Sequence, residues 1–242
     1  MIHYHGGPNT PITAAIRCWR ARHAFVSFAA PEQMEVAAEF AQSFALDNGA
    51  FSAWRAGRPT DWEGYYKWVD EWRKCPGFDF AIIPDVIDGD EDANDNLLEQ
   101  WPHGRDGGVP VWHLHESIER LVCLCNAWPK VALGSSGQFA VVGSSAWWNR
   151  MTEAMNAVCD ERGMPSAKLH GLRMLNPDVF RHLPFSSADS TNAAQNIGID
   201  SRWNGTYTPA TKETRAIVIA ERVEQYNSSP WNHKPAQQRM FA

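Results

Sequence analysis

Ser43-Phe44-Ala45-Leu46-Asp47-Asn48-Gly49-Ala50-Phe51 is an apolar run that ends on a carboxylate and turns at once. Residues 43–46 read as a strand, and Asn48-Gly49 as a tight turn, because glycine adopts backbone conformations closed to other residues. Such a turn holds Asp47 at the rim of a sheet, with Phe51 as a flat apolar surface close by. A carboxylate beside an aromatic plate suits a planar heterocycle and the movement of its protons.

Further strand candidates lie on both sides, near 2–5, 25–29, 78–84, 109–114, 130–133, 167–172 and 185–188. Helical spacing or start and stop signals between them predict helices over 11–23, 31–43, 60–74, 117–128, 149–162 and 176–182, and one from Asn96 to before Pro102. The acidic stretch Asp88 to Asp95 reads as a connection, and Phe139 to Ala146 as a loop on the active face. Strand and helix alternating over eight units predict an α/β fold, a (β/α)8 TIM-type barrel. Residues 1–226 are expected to form one catalytic domain that includes a C-terminal helix over 214–226, with 227–242 a flexible tail.

The totals agree with that class. A chain of 242 residues with 44% hydrophobic and 21% charged content can bury a large core. Its net charge of −6 argues against gripping nucleic acid by bulk electrostatics and leaves room for a local basic patch. Five scattered cysteines point to reduced thiols and a cytoplasmic setting, and neither a membrane span nor a secretory leader is expected.

In barrels of this type chemistry gathers at the C-terminal strand ends. Asp47, Asp85 and Asp189 fall at such ends, as do His115, Gly134-Ser135-Ser136-Gly137 and His170-Gly171. Paired carboxylates around a base-sized pocket suit glycosidic chemistry, one attacking the anomeric carbon and the other handling protons. Two other classes compete. One is a metal-dependent hydrolase using His113, His115 and carboxylates; the other is a non-catalytic barrel that binds nucleic acid or a partner. Cys123-x-Cys125 reads as two positions on a helix, not as a zinc site.

Leu46-Asp47-Asn48-Gly49-Ala50-Phe51 resembles the Asp-Ser-Gly-Gly-aromatic motif of the queuine/archaeosine tRNA-guanine transglycosylase superfamily. Ile83-Pro84-Asp85 looks like its base-reading strand end, and Ala132-Leu133-Gly134-Ser135 like its base-contacting loop. Leu169-His170-Gly171 with Asn176-Pro177-Asp178, then Phe185-Ser186-Ser187-Ala188-Asp189-Ser190, follow in that family's order over about residues 40 to 190. The resemblance implies Asp189 as nucleophile and Asp47 as general acid/base. It implies base contacts from Asp85, Asn48, Phe51, His115, Gly134, Ser135 and His170, with no cofactor. No cysteine follows Asp189, so that family's structural zinc site is missing, and the family's arginine-rich surface after it is thin, leaving mainly Arg202, Lys212 and Arg215. A short, zinc-less chain opening Tyr4-His5-Gly6-Gly7-Pro8 is most similar to the phage-type DpdA proteins, which insert 7-deazaguanines into DNA. The expected partners are therefore DNA before tRNA, and a preQ0-like base. For a phage protein the expected setting is the host cytoplasm. Gln237-Gln238-Arg239-Met240-Phe241 resembles peptides that dock on bacterial sliding clamps, which adds a clamp as an expected partner.

Overall fold

Parallel strands alternating with crossover segments run through the computed structural model, which describes residues 1–198, 203 and 205–233. The strands are β1 (Ile2–Gly6), β2 (His23–Ser27), β3 (Ser43–Asp47), β4 (Phe78–Ile82), β5 (Gly108–Val109), β6 (Val111–His113), β7 (Lys130–Gly134), β8 (Lys168–Gly171) and β9 (Ser187–Ser190). Their lateral order is β5-β4-β3-β2-β1-β9-β8-β7-β6. β5 and β6 are two halves of one predicted strand, split at Pro110, which has no N–H to give a ladder. Hydrogen bonds continue across the split: Ile83 donates to the Val109 carbonyl at 2.9 Å and Ala132 to the Pro110 carbonyl at 2.9 Å. The two ends of the order thus meet in one segment, and the sheet rolls into the α/β TIM-type barrel the sequence predicts.

Helices α1 (Ile12–Trp19), α2 (Met34–Phe40), α3 (Ala50–Arg55), α4 (Trp62–Trp72), α5 (Glu91–Glu99), α6 (Ile118–Ala127), α7 (Ser145–Val158), α8 (Pro177–Phe180), α9 (Asn192–Asn196) and α10 (Lys212–Glu224) fill the connections. Several starts follow from capping side chains. Asp61, Asp90, Ser117, Ser144 and Thr211 each accept a backbone N–H from the first turn. Two expectations are corrected by this. The acidic stretch is not a connection: α5 begins at Glu91, with Glu91 and Asp92 in its first turn, where the helix dipole favours carboxylates. The segment 139–146 is no simple loop either, since a 3-10 turn covers Gly137–Phe139 and α7 starts at Ser145. Among the described residues no helix is long and apolar enough to cross a membrane.

Tyr4, Phe25, Ala45, Phe80, Ile82, Val109, Val111 and Ala132 fill the barrel interior. Toward its N-terminal end the Tyr4 hydroxyl donates to Asp79, and the Lys130 ammonium sits 4.0 Å from the Phe80 ring centre and 3.8 Å from Asp79. Two larger clusters, around Trp112, Trp147 and Met151 and around Trp19, Phe44 and Tyr65, join the barrel to its helices.

α10 closes the ring against β1 and α1. Glu224 accepts from His5 Nε2 at 2.9 Å and from Arg22 Nε at 2.7 Å, and His3 Nε2 lies 2.9 Å from the Tyr226 carbonyl. Residues 227–233, expected in the tail, also bond to the barrel end. Ser228 donates to the Phe185 carbonyl at 2.7 Å and Asn232 to that of Gly163 at 2.7 Å. Gly163 has φ +80, and a Cβ there would stand 2.4 Å from the Asn232 oxygen. The clamp-like peptide 237–241 lies outside the described residues.

Burial pushes the Glu224 carboxyl up, but the bonds from His5 and Arg22 outweigh it and hold the group below its ordinary 4.5. Its contribution is present above that value and fades as pH falls below it. Glu224→Ala should lower unfolding free energy by about 1–2 kcal/mol at pH 7 in urea denaturation, leaving two donors without their acceptor. The gap to the wild type should narrow below about pH 4.

Candidate active site

The C-terminal end of β3 sets the arrangement. Asp47 is half-buried; Ser27, its register partner on β2, donates to Oδ2 at 2.6 Å, and the Gly49 N–H approaches the same oxygen at 3.3 Å. Gly49 is left-handed at φ +77, and a Cβ on it would stand 2.9 Å from the Ala29 nitrogen. That turn launches α3 and brings Phe51 beside Asp47. Burial pushes the Asp47 carboxyl up to about 6, against the Ser27 hydrogen bond, with the nearby Asp189 and Asp85 charges adding to the rise.

Asn48 is buried and ties two strand ends together. Its Nδ2 donates to the Ile83 carbonyl at 2.9 Å and to Asp85 Oδ1 at 2.6 Å, while its Oδ1 accepts from the Ala50 N–H at 2.8 Å. Asp85 does not end a strand; it lies in the segment after β4 and is held from both sides. Its Oδ2 is 2.8 Å from His113 Nε2. Burial lowers the proton affinity of His113, but the Asp85 bond and charge outweigh this and raise it, so the ring donates to Asp85. Behind the pair, Glu116 accepts the His113 N–H at 2.8 Å, Asn94 Nδ2 at 2.8 Å and Arg120 Nη1 at 2.9 Å. Asn94 Oδ1 in turn accepts the Val86 N–H at 2.7 Å, which fixes the segment carrying Asp85.

Asp189 lies within β9, buried, one residue before the strand's end. Its Oδ1 accepts the Arg173 N–H at 2.8 Å. Arg173 is left-handed at φ 57, an uncommon state for a side-chain-bearing residue and one held here by that bond. Its guanidinium sits 3.7 Å from the Phe51 ring centre.

Asp47, Asn48, Phe51, Asp85, Gly134, Ser135 and Asp189 all line one cavity of about 420 Å³ at the barrel mouth. Ser135 is positioned by Trp147, whose Nε1 donates to its Oγ at 2.9 Å. The two remaining candidates lie elsewhere. His115 is exposed and outside the lining; its ring bonds to Ser136 Oγ at 2.6 Å and the Gly89 carbonyl at 3.1 Å. His170 is fully buried beneath the cavity among Tyr4, Phe25 and Phe80, with Nδ1 2.9 Å from Ser187 Oγ. Its Nε2 is 3.4 Å from Asp189 Oδ1 without forming a hydrogen bond.

Ser27, Arg55, Arg58 and Arg173 also line the cavity, and sequence reasoning passed over all four. Ser27 was accessible to it, because parallel pairing of adjacent strand ends sets Ser27 opposite Asp47. Among the described residues no group of three or more His, Cys, Asp or Glu side chains is placed to hold a metal ion. Compared with protein-family models, curated proteins and solved structures, the chain matches none.

A carboxyl pushed up on folding stabilises below its unfolded value, near 3.8, and loses that contribution as pH rises through about 6. Asp47→Asn should therefore raise unfolding free energy by about 1–2 kcal/mol at pH 8 and change it little at pH 4, read by urea denaturation at both pH values.

Proposed function

We propose that this protein is a guanine transglycosylase that exchanges guanine for a 7-deazaguanine, such as a preQ0-like base, in DNA. The observation that carries the reading is the meeting of Asp47, Asp85 and Asp189 in one nucleoside-sized hollow, with the Asp47 carboxyl raised to about 6. Asp189 attacks C1′ of the target nucleotide as the bond from C1′ to guanine breaks, giving a covalent glycosyl ester. Guanine leaves with the bonding pair and takes a proton from Asp47. The incoming base returns a proton to Asp47 and attacks C1′, which releases the Asp189 carboxylate. An acid and base with a proton affinity near neutrality suits both half-reactions.

Asp85 retains unused lone pairs after bonding Asn48 and His113, and these accept N–H groups of the base. Phe51 offers the base the ring face that the Arg173 guanidinium does not cover. The Arg173 N–H holds Asp189 in one orientation for attack. In duplex DNA the target guanine has to leave the stack, and stacking on aromatic residues offsets part of that cost.

Labelled guanine exchange into DNA and tRNA, run side by side, tests the reading. Wild type should exchange into DNA, Asp47→Asn should slow exchange about 10²–10⁴-fold, and Asp189→Asn should leave no trapped protein–DNA adduct. Guanine release should slow as pH rises above about 6, and Asp47→Asn should lose that limb. No exchange into either polymer overturns the proposal.

A further inference from the structure

Positive charge is thin after Asp189, as the sequence predicts. Arg215 is buried in α10, its Nε bonded to the Ile197 carbonyl at 2.5 Å and its Nη1 to that of Pro209 at 2.7 Å. Arg202 lies outside the described residues. At the cavity mouth the cations are Arg55, Arg58 and Arg173. Arg55 and Arg58 are exposed and make no ion pair with any described residue.

Phe51, Trp54 and Arg55 lie on α3 at the three- and four-residue spacing of a single helix face, and Arg58 follows past the left-handed Gly57. The turn after α3 keeps Arg58 close, its N–H donating to the Ala53 carbonyl at 2.9 Å. The Phe51 and Trp54 rings lie 5.7 Å apart at 39°, and the Arg173 guanidinium covers Phe51. Trp54 is 48% exposed, whereas Trp19, Trp112 and Trp147 are fully buried, so its ring serves no core. Exposed Asp88 and Asp90 follow Ile87, which lines the cavity from the β4–α5 connection. The mouth is therefore basic and aromatic on its α3 side and acidic at that connection.

We propose that this face of α3, with Arg173, is the docking surface for a polynucleotide strand. Trp54 stacks on the base next to the one in the cavity, and Arg55 and Arg58 bind the phosphodiesters that flank it. Alternating flat rings and unpaired guanidiniums match a single strand, whose bases offer faces and whose backbone offers charge at each step. The chain's overall negative charge then keeps the contact local and salt-sensitive. The inference rests on the transglycosylase reading only in taking the nucleotide in the cavity to be part of a polymer.

Fluorescence anisotropy of a labelled single-stranded DNA oligonucleotide, titrated with the full chain between about 50 and 200 mM salt, tests it. Trp54→Ala should weaken binding about tenfold at every salt concentration, with Trp54→Phe restoring most of it. The Arg55→Ala/Arg58→Ala double variant should flatten the log–log salt slope by about 1 to 2. Arg162→Ala, an exposed change in the α7–β8 connection at the other end of the barrel, should bind as wild type. Wild-type affinity in both α3 variants, or equal weakening by Arg162→Ala, overturns the surface. Guanine exchange with affinity indifferent to α3 would reject the surface alone. Binding that depends on α3 without any exchange would reject the transglycosylase reading alone.

Discussion

Like charge in one small hollow is the constraint this barrel mouth has to satisfy. Asp47, Asp85 and Asp189 line the same cavity, and burial, with the Asp189 and Asp85 charges adding to it, raises the proton affinity of Asp47. Each therefore needs donors, and the fold supplies them from different strands. Asp85 receives the Asn48 amide and the His113 ring. Asp189 receives the backbone N–H of Arg173, a residue in the left-handed conformation. Asp47 receives one hydroxyl and one long backbone contact. Burial, against these two donors, is what pushes the Asp47 carboxyl up to about 6.

Those donors must themselves be held. The Asn48 amide would turn if Ala50 did not occupy its oxygen, and the Asp85 segment would drift if Asn94 did not clamp Val86. Glu116 collects three donors under the pair, including the Arg120 guanidinium, so a buried charge is matched and fully bonded. Removing one partner from such a network costs more than the bond itself, because the rest stay buried and unsatisfied.

The barrel was legible in the sequence because parallel strands buried on both faces are compact apolar runs between turn signals. Phe78 to Ile82 and Lys130 to Gly134 fall within a residue or two of their predicted spans. Strand ends made Asp47 and Gly134 findable. What failed depended on local conformation. The brief α3 is less than two turns long and shows no full period. Alternation carried His115 onto the face of His113, but β6 ends at His113 and the chain turns, leaving His115 in solvent. His170 was legible as a strand residue, yet its depth depends on where β8 and β9 register, with His170 opposite Ser187. Arg173 carried no signal, since its importance rests on a backbone angle no residue preference announces.

One turn links the chemistry to the surface that would receive a strand. Gly49 gives Asp47 a backbone donor and, in the same left-handed step, sets the direction in which α3 leaves the sheet. Ala29 packs so closely against it that no side chain fits between them. Phe51, Trp54 and Arg55 therefore sit on a helix whose first residue, Ala50, follows Asp47 by three positions. A helix under two turns has little stability of its own and relies on this anchoring. On the proposed reading that shortness has a use: a strand seated on α3 would be referenced to the Asp47 carboxyl within a few residues, and binding energy gained outside the cavity would orient the nucleotide inside it.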